Sequence, residues 1–244
     1  RDQQQNITNR TLADIAGEAG VSEGSVVRFL NKRGIKKPTA LKLSIAKSAE
    51  EKHPAEGALS AVVEEEFSDV VHNTASLMDP ERLCRAVDLM EHSRQVYFFG
   101  VAVSGIAAST GENSFIRMGK PVHAILEGHM QMIAAAGLTE EDVVVVFSLT
   151  GNTRDTCEAA ALARQQGARI ISVTSYVNSQ LARISDVVLQ TFAKEEIING
   201  GRITGLVSQL YVLDCLKREY NKRNRARTVR LKEEIGKAIL SKKV

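Results

Sequence analysis

The sequence predicts an α/β protein, a parallel sheet flanked by helices, preceded by a small all-α helix-turn-helix domain. Three observations predict it. Between residues 95 and 220 short β-branched or aromatic runs alternate with helical patterns, and right-handed crossovers turn that rhythm into a parallel sheet covered on both faces. The run Val143-Val144-Val145-Val146-Phe147 is apolar throughout, as in a strand buried on both sides. Residues 12–30 carry helix-turn-helix spacing upstream of this alternation.

At 244 residues and 43% hydrophobic content the chain can bury one large core or two small ones. No run approaches the roughly 20 apolar residues of a membrane span, and no secretory signal pattern opens the chain, so a cytoplasmic protein away from membranes is expected. The first residue is Arg1, and the first domain is expected to be incomplete at its N-terminus. Cys84, Cys157 and Cys215 lie far apart within helix-like patterns and are read as reduced core residues. The charge is segregated. Residues 1–57 hold 10 basic and 7 acidic residues (+3), residues 58–216 hold 11 and 19 (−8), and residues 217–244 hold 11 and 3 (+8). The basic ends are candidates for a polyanion; the acidic middle is a poor nucleic-acid surface.

In the N-terminal segment Leu12, Ile15, Ala16 and Ala19 form one apolar helix face, which Gly20 closes. Ser22 then caps a second helix with Glu23 in its first turn. Val26, Phe29 and Leu30 are expected to face inward, which leaves Ser22, Glu23, Ser25, Arg28, Asn31 and Lys32 for DNA. Lys36 and Lys37 follow where phosphate-backbone contacts would fall. A plain helical hairpin with solvated lysines is the bland alternative.

The domain division is 1–50 for this unit, 51–58 for a Pro- and Gly-containing linker, 59–220 for the α/β domain and 221–244 for a basic helix or tail. A helix resumes near Leu59, and Asp79-Pro80-Glu81 starts another as N-cap, first-turn proline and acid. Strands are expected at 95–99, 121–126, 142–148, 169–174 and 186–190. Helices are expected at 106–118, 129–136, 154–166, 179–184 and 203–220. In the tail, Val229, Leu231, Ile235, Ala238 and Ile239 recur at helical spacing, so a packed helix and a nucleic-acid stripe explain it equally.

Ligands of parallel sheets bind beyond the carboxyl ends of the strands. Two such ends are polar here: residues 100–104 with Ser104, and residues 148–153 with Ser148, Thr150, Gly151 and Thr153. A third carries Thr174 and Ser175. Hydroxyl donors, a glycine that permits close approach and a following helix N-terminus suit a phosphate. An ordinary connection with Thr153 as N-cap is the alternative.

With these segments in view, residues 10–220 resemble the RpiR-type bacterial transcriptional regulators, in which a helix-turn-helix precedes a sugar isomerase (SIS) domain of flavodoxin-like fold. The resemblance rests on residues 12–31, Arg117-Met118-Gly119-Lys120, Glu127-Gly128-His129-Met130-Gln131, the 148–153 loop, and Ile171-Ser172-Val173-Thr174 with Ser179, Leu181, Ala182 and Asp186. It implies a regulator, by choice a repressor, that binds double-stranded operator DNA and senses a phosphosugar effector through Ser104, Ser148, Thr150, Gly151, Thr153, Glu127 and His129. Ala102 stands where the family pattern has a glycine, and Thr150 where it has serine.

SIS domains also occur in phosphosugar isomerases, so catalysis is the rival reading, with Glu112, Glu127 or His129 as acid–base candidates. We expect none to be catalytic: Glu112 reads as an exposed helix residue, Glu127 and His129 as helix-start or ligand-bonding residues. A partner-binding protein with empty loops is a third reading. The five histidines show no metal-ligand spacing, and neither metal nor cofactor is expected. One helix-turn-helix reads one half-site, so a homodimer or homotetramer is expected.

Overall fold

The computed structural model describes residues 16–17, 20–32, 59–192 and 203–240; the expected linker, Lys36 and Lys37 lie outside them. The chain divides into two compact units, one reaching Glu64 and the other beginning at Glu65.

In the first unit, Ala16 and Gly17 are helical, Gly20 takes a φ of +63°, and the Val21 N–H donates to the Ala16 carbonyl at 3.0 Å. That six-to-one bond around a left-handed glycine is a Schellman closure, as the position of Gly20 predicts. Helix α1 (Glu23–Lys32) follows, with Ser22 Oγ accepting from the Ser25 N–H at 3.3 Å. Ala16 is buried and Val26 half-buried. Phe29 departs from expectation: it is 59% exposed instead of facing inward. A small helical unit covers less of its apolar surface than a large domain, and a bulky ring at the edge of the stripe is left outside.

The division falls within α2 (Leu59–Leu77), and α3 (Pro80–His92) follows in the second unit. Asp79 caps α3 as read, accepting from the Glu81 and Arg82 N–H groups with Pro80 in the first turn. The alternating part then runs β1 (Val96–Phe99), α4 (Ala102–Ile116), β2 (Val122–Ile125), α5 (Gly128–Ala136), β3 (Val143–Phe147), α6 (Arg154–Gln165), β4 (Arg169–Thr174), α7 (Gln180–Arg183) and β5 (Val187–Gln190). Helices α8 (Ile203–Arg223) and α9 (Arg225–Leu240) complete it. All four strand pairings are parallel, and the order is β2-β1-β3-β4-β5.

Alternation along the strands builds two cores. Val143, Val145 and Phe147 of β3 point to the face covered by α3, α4 and α8, where Phe98, Phe115, Leu216 and Tyr220 also lie. Val144 and Val146 point to the other face, against Cys157, Ala159, Ala160 and Ala163 of α6 and Ala135 of α5. This is why the central strand is apolar at every position. Alanines on α6 let that helix lie close to the sheet.

The basic tail is helical, and much of its charge is matched locally. Lys217 and Arg218 pair with Asp214, Lys222 and Arg223 with Glu219, and Arg223 also with Asp88 of α3. Arg227 of α9 donates to the Gly119 carbonyl at 2.5 Å, and Leu231 packs over the bare Cα of the same glycine. A helix packed on the domain accounts for these residues directly.

Candidate functional site

The strand order reverses between β1 and β3. From β1 the chain crosses through α4 to β2 on one side; from β3 it crosses through α6 to β4 on the other. The register pairs Phe99 with Val146, so the turns after β1 and β3 emerge side by side and diverge, leaving a crevice at their carboxyl ends. Both polar stretches singled out in the sequence sit there.

The first turn is tighter than its sequence suggests. A Cβ on Gly100 would fall on the Ser104 backbone carbonyl, so only glycine fits under the start of α4. Ala102 takes the left-handed φ of 49°, which carries the chain into α4 without a loop, so the helix starts at Ala102 rather than at the expected 106. Ser104 therefore stands in the first turn of α4, nearly buried. Its Oγ accepts from the Gln209 Nε2 of α8 at 3.0 Å. A left-handed alanine costs roughly 1–2 kcal/mol, part of which glycine gives back in unfolded-state entropy. Ala102→Gly is thus expected to stabilise the protein by about 0.5–1 kcal/mol, read as a higher urea midpoint at unchanged slope.

The second turn gathers several hydroxyls. Ser148 Oγ accepts from the Gly151 N–H at 3.1 Å and lies 3.2 Å from Thr153 Oγ1. Thr153 occupies the N-cap position of α6, yet its side chain makes no cap bond to that helix. It turns toward Ser148 instead, so among the described residues no side chain covers the first N–H groups of α6. Gly151 has a φ of +62°, and a Cβ there would strike Ser179 Oγ and Thr174 Oγ1. Thr150 Oγ1 accepts from the Asn152 N–H at 3.3 Å, and Asn152 Oδ1 accepts from the Gln180 N–H of α7 at 3.0 Å. The Gly151 carbonyl accepts from the buried Cys157 thiol, which burial pushes up to about 11, so that the sulfur remains a protonated donor. Cys157 is thus a loop anchor, a role its spacing did not signal. Leu149 Cδ1 would lie 2.5 Å from a Cβ on Gly205, which seats the first turn of α8 on this loop.

Glu127 is the N-cap of α5, its carboxylate accepting from the His129 and Met130 N–H groups at 3.0 and 2.9 Å. Those two backbone bonds hold its carboxyl below the usual range. A Cβ on Gly128 would lie 2.9 Å from Asp155 Cβ, which places the start of α5 beside the first turn of α6. His129 is exposed at that rim. Glu112 departs from its reading as an exposed helix residue. It is half-buried, and its Oε1 accepts from the Ala124 N–H of β2 at 3.0 Å, because the inner end of an edge strand needs a partner for its free donor.

On α1, Ser22, Glu23 and Arg28 are exposed and Ser25 is half-buried; Arg28 donates to Ser25 Oγ at 3.4 Å and Ser22 and Ser25 hydroxyls lie 3.0 Å apart. Ser22, Ser25 and Arg28, spaced three apart, share one side of the helix, while Glu23 points elsewhere in its first turn. The side chains of Asn31 and Lys32 lie outside the described ones.

The SIS domain family matches residues 89–217. The HTH-type transcriptional regulator HexR of Pseudomonas aeruginosa is 34% identical over 227 residues, 87% of this chain and 78% of that protein. An uncharacterized HTH-type transcriptional regulator of Clostridium perfringens is 27% identical over 97% of this chain and 89% of its own length. Among solved structures, the Vibrio vulnificus NanR protein complexed with ManNAc-6P superposes with a TM-score of 0.83 at 22% identity, over 97% of this chain and 88% of that one. The sugar isomerase domain of an RpiR transcription factor from Sphaerobacter thermophilus gives 0.67 at 23% identity, over 73% and 98%. The chain belongs to the SIS domain family and to the HTH-type transcriptional regulators that carry this domain.

Proposed function

We propose that this regulator senses a phosphosugar in the crevice between β1 and β3 and binds operator DNA through α1, acting as a repressor. The observation that carries the ligand reading is the start of α6: a helix N-terminus with no side-chain cap, faced by the hydroxyls of Ser148 and Thr153. Backbone donors left open there attract an anion. Ser104 and Thr150 add hydroxyls, the Gly151 main chain adds a close approach, and Glu127 and His129 at the start of α5 read the sugar. The NanR structure, with ManNAc-6P bound, supports the ligand class. On the DNA side, Ser22, Glu23, Ser25, Arg28, Asn31 and Lys32 supply the reading face, and Lys36 and Lys37 supply phosphate contacts.

Sensing is favoured over isomerisation because two of the acid–base candidates, Glu112 and Glu127, are occupied. Glu112 holds the edge of β2 and Glu127 caps α5, so each would have to give up a backbone bond to act as a base. The protein works in the cytoplasm as a homodimer or homotetramer, which sedimentation at micromolar concentration tests. The direct experiment on the ligand is a thermal-shift screen of the full chain against phosphosugars and their unphosphorylated parents, with each hit assayed for turnover. A phosphorylated hit at a hundred times its Kd adds roughly 2.7 kcal/mol while its parent does not; sustained interconversion would replace the sensor reading with an enzyme.

A further inference from the structure

We infer that Gln209 is a positioning residue for the ligand: it fixes the Ser104 hydroxyl as a donor aimed at the bound anion. The inference rests on the phosphate reading of the crevice and extends it to a residue of α8 that no motif contains.

Gln209 lies fully buried on the same helix as the core residues Val212, Leu213 and Leu216. An amide in such a place needs partners for both of its ends. Only one end is used: Nε2 donates to Ser104 Oγ at 3.0 Å, whereas Oε1 is buried with no hydrogen-bond partner. A glutamine retained for local packing would be as well served by an apolar side chain of its size, which leaves the bond to Ser104 as its purpose. That bond has a direction. A serine hydroxyl has one proton and two acceptor lone pairs, and an amide N–H occupying a lone pair leaves the proton available. Ser104 stands in the first turn of α4, at the carboxyl end of β1, where a phosphate oxygen offers only acceptors. The amide thus selects the one hydroxyl orientation that an anion requires.

The location of Gln209 also gives the ligand a grip on α8. One turn earlier, Gly205 lets Leu149 of the second turn seat against the same helix, so α8 touches both walls of the crevice.

The test uses the full-length chain, with inorganic phosphate and N-acetylmannosamine 6-phosphate as probes in calorimetry. Gln209→Glu replaces the donor by a carboxylate that captures the Ser104 proton and repels the anion. Its binding is expected to be at least about tenfold weaker than wild type at pH 8. The deficit should close as pH falls, because a protonated carboxyl again donates to Ser104. Comparison with wild type at each pH removes the titration of the probe itself. In a Ser104→Ala background Gln209→Leu, which introduces no charge, should add much less, since its effect passes through that hydroxyl. Gln209→Leu keeps the volume without the donor, and is expected to weaken both probes severalfold should the glutamate variant fail to fold. Wild-type binding matched by both Gln209 variants, or a full extra loss in the Ser104→Ala background, would overturn the inference alone. Absence of any wild-type response to either probe would overturn the phosphate reading beneath it.

Discussion

Gly151→Ala is expected to be strongly destabilising for a single-methyl change. At a φ of +62° an alanine costs roughly 1–2 kcal/mol, and the new methyl would strike the hydroxyls of Ser179 and Thr174. Ser179 cannot retreat freely, because its Oγ accepts from the Ala182 N–H and caps α7. The overpacking adds about 1–3 kcal/mol, for a total loss of roughly 2–5 kcal/mol and a drop in Tm of about 4–20 °C. Urea unfolding of the two proteins side by side measures it. A change under about 0.5 kcal/mol, within the range of an ordinary surface substitution, would mean that the turn is not held as described.

The opposite pattern, a ligand defect without a folding defect, is expected for Ser148→Ala and Thr153→Ala. The Gly151 N–H that Ser148 Oγ receives is also bonded to the Ser148 carbonyl at 3.1 Å, so losing the hydroxyl does not orphan it. Thr153 Oγ1 caps nothing in α6. Neither hydroxyl is therefore required by the turn itself. To a phosphate each would make a charge-assisted bond worth about 1.5–3 kcal/mol, so each variant should bind the effector roughly 10–150-fold more weakly at nearly unchanged urea midpoint. Effector-dependent stabilisation equal to wild type in both variants would remove these residues from the phosphate site.

These two turns also show how far the sequence alone reaches. The five strands were legible because β-branched runs between helical patterns have few other solutions. The turn after β3 was legible because glycine and hydroxyl residues stand at a strand end. The start of α4 was not, since the one hint of a left-handed φ, the family glycine that Ala102 replaces, does not say that the helix begins there, four residues early. Gln209 and Glu112 escaped for another reason. Their roles are defined by partners, Ser104 across 105 residues and the Ala124 backbone on a neighbouring strand, and a spacing rule sees only residues on one element. The charge of the tail left two readings open for a related reason. Its sum over residues 217–244 is +8, yet Asp214 and Asp88, outside the segment, lie against Lys217, Arg218 and Arg223, so the sum overstates the free cationic surface.

The central claim is that one protein couples effector binding at the crevice to DNA binding at α1. Coupling between two sites is reciprocal, and a typical strength of about 1–3 kcal/mol changes either affinity by roughly 5–150-fold. The decisive measurement is fluorescence anisotropy on a DNA fragment selected by the protein itself, titrated with and without a saturating phosphosugar found by the thermal-shift screen. The account predicts a shift in DNA affinity within that range, weaker binding for a repressor, which in the Ser148→Ala variant needs roughly 10–150-fold more effector. Unchanged DNA affinity at a ligand concentration that saturates the crevice would contradict it.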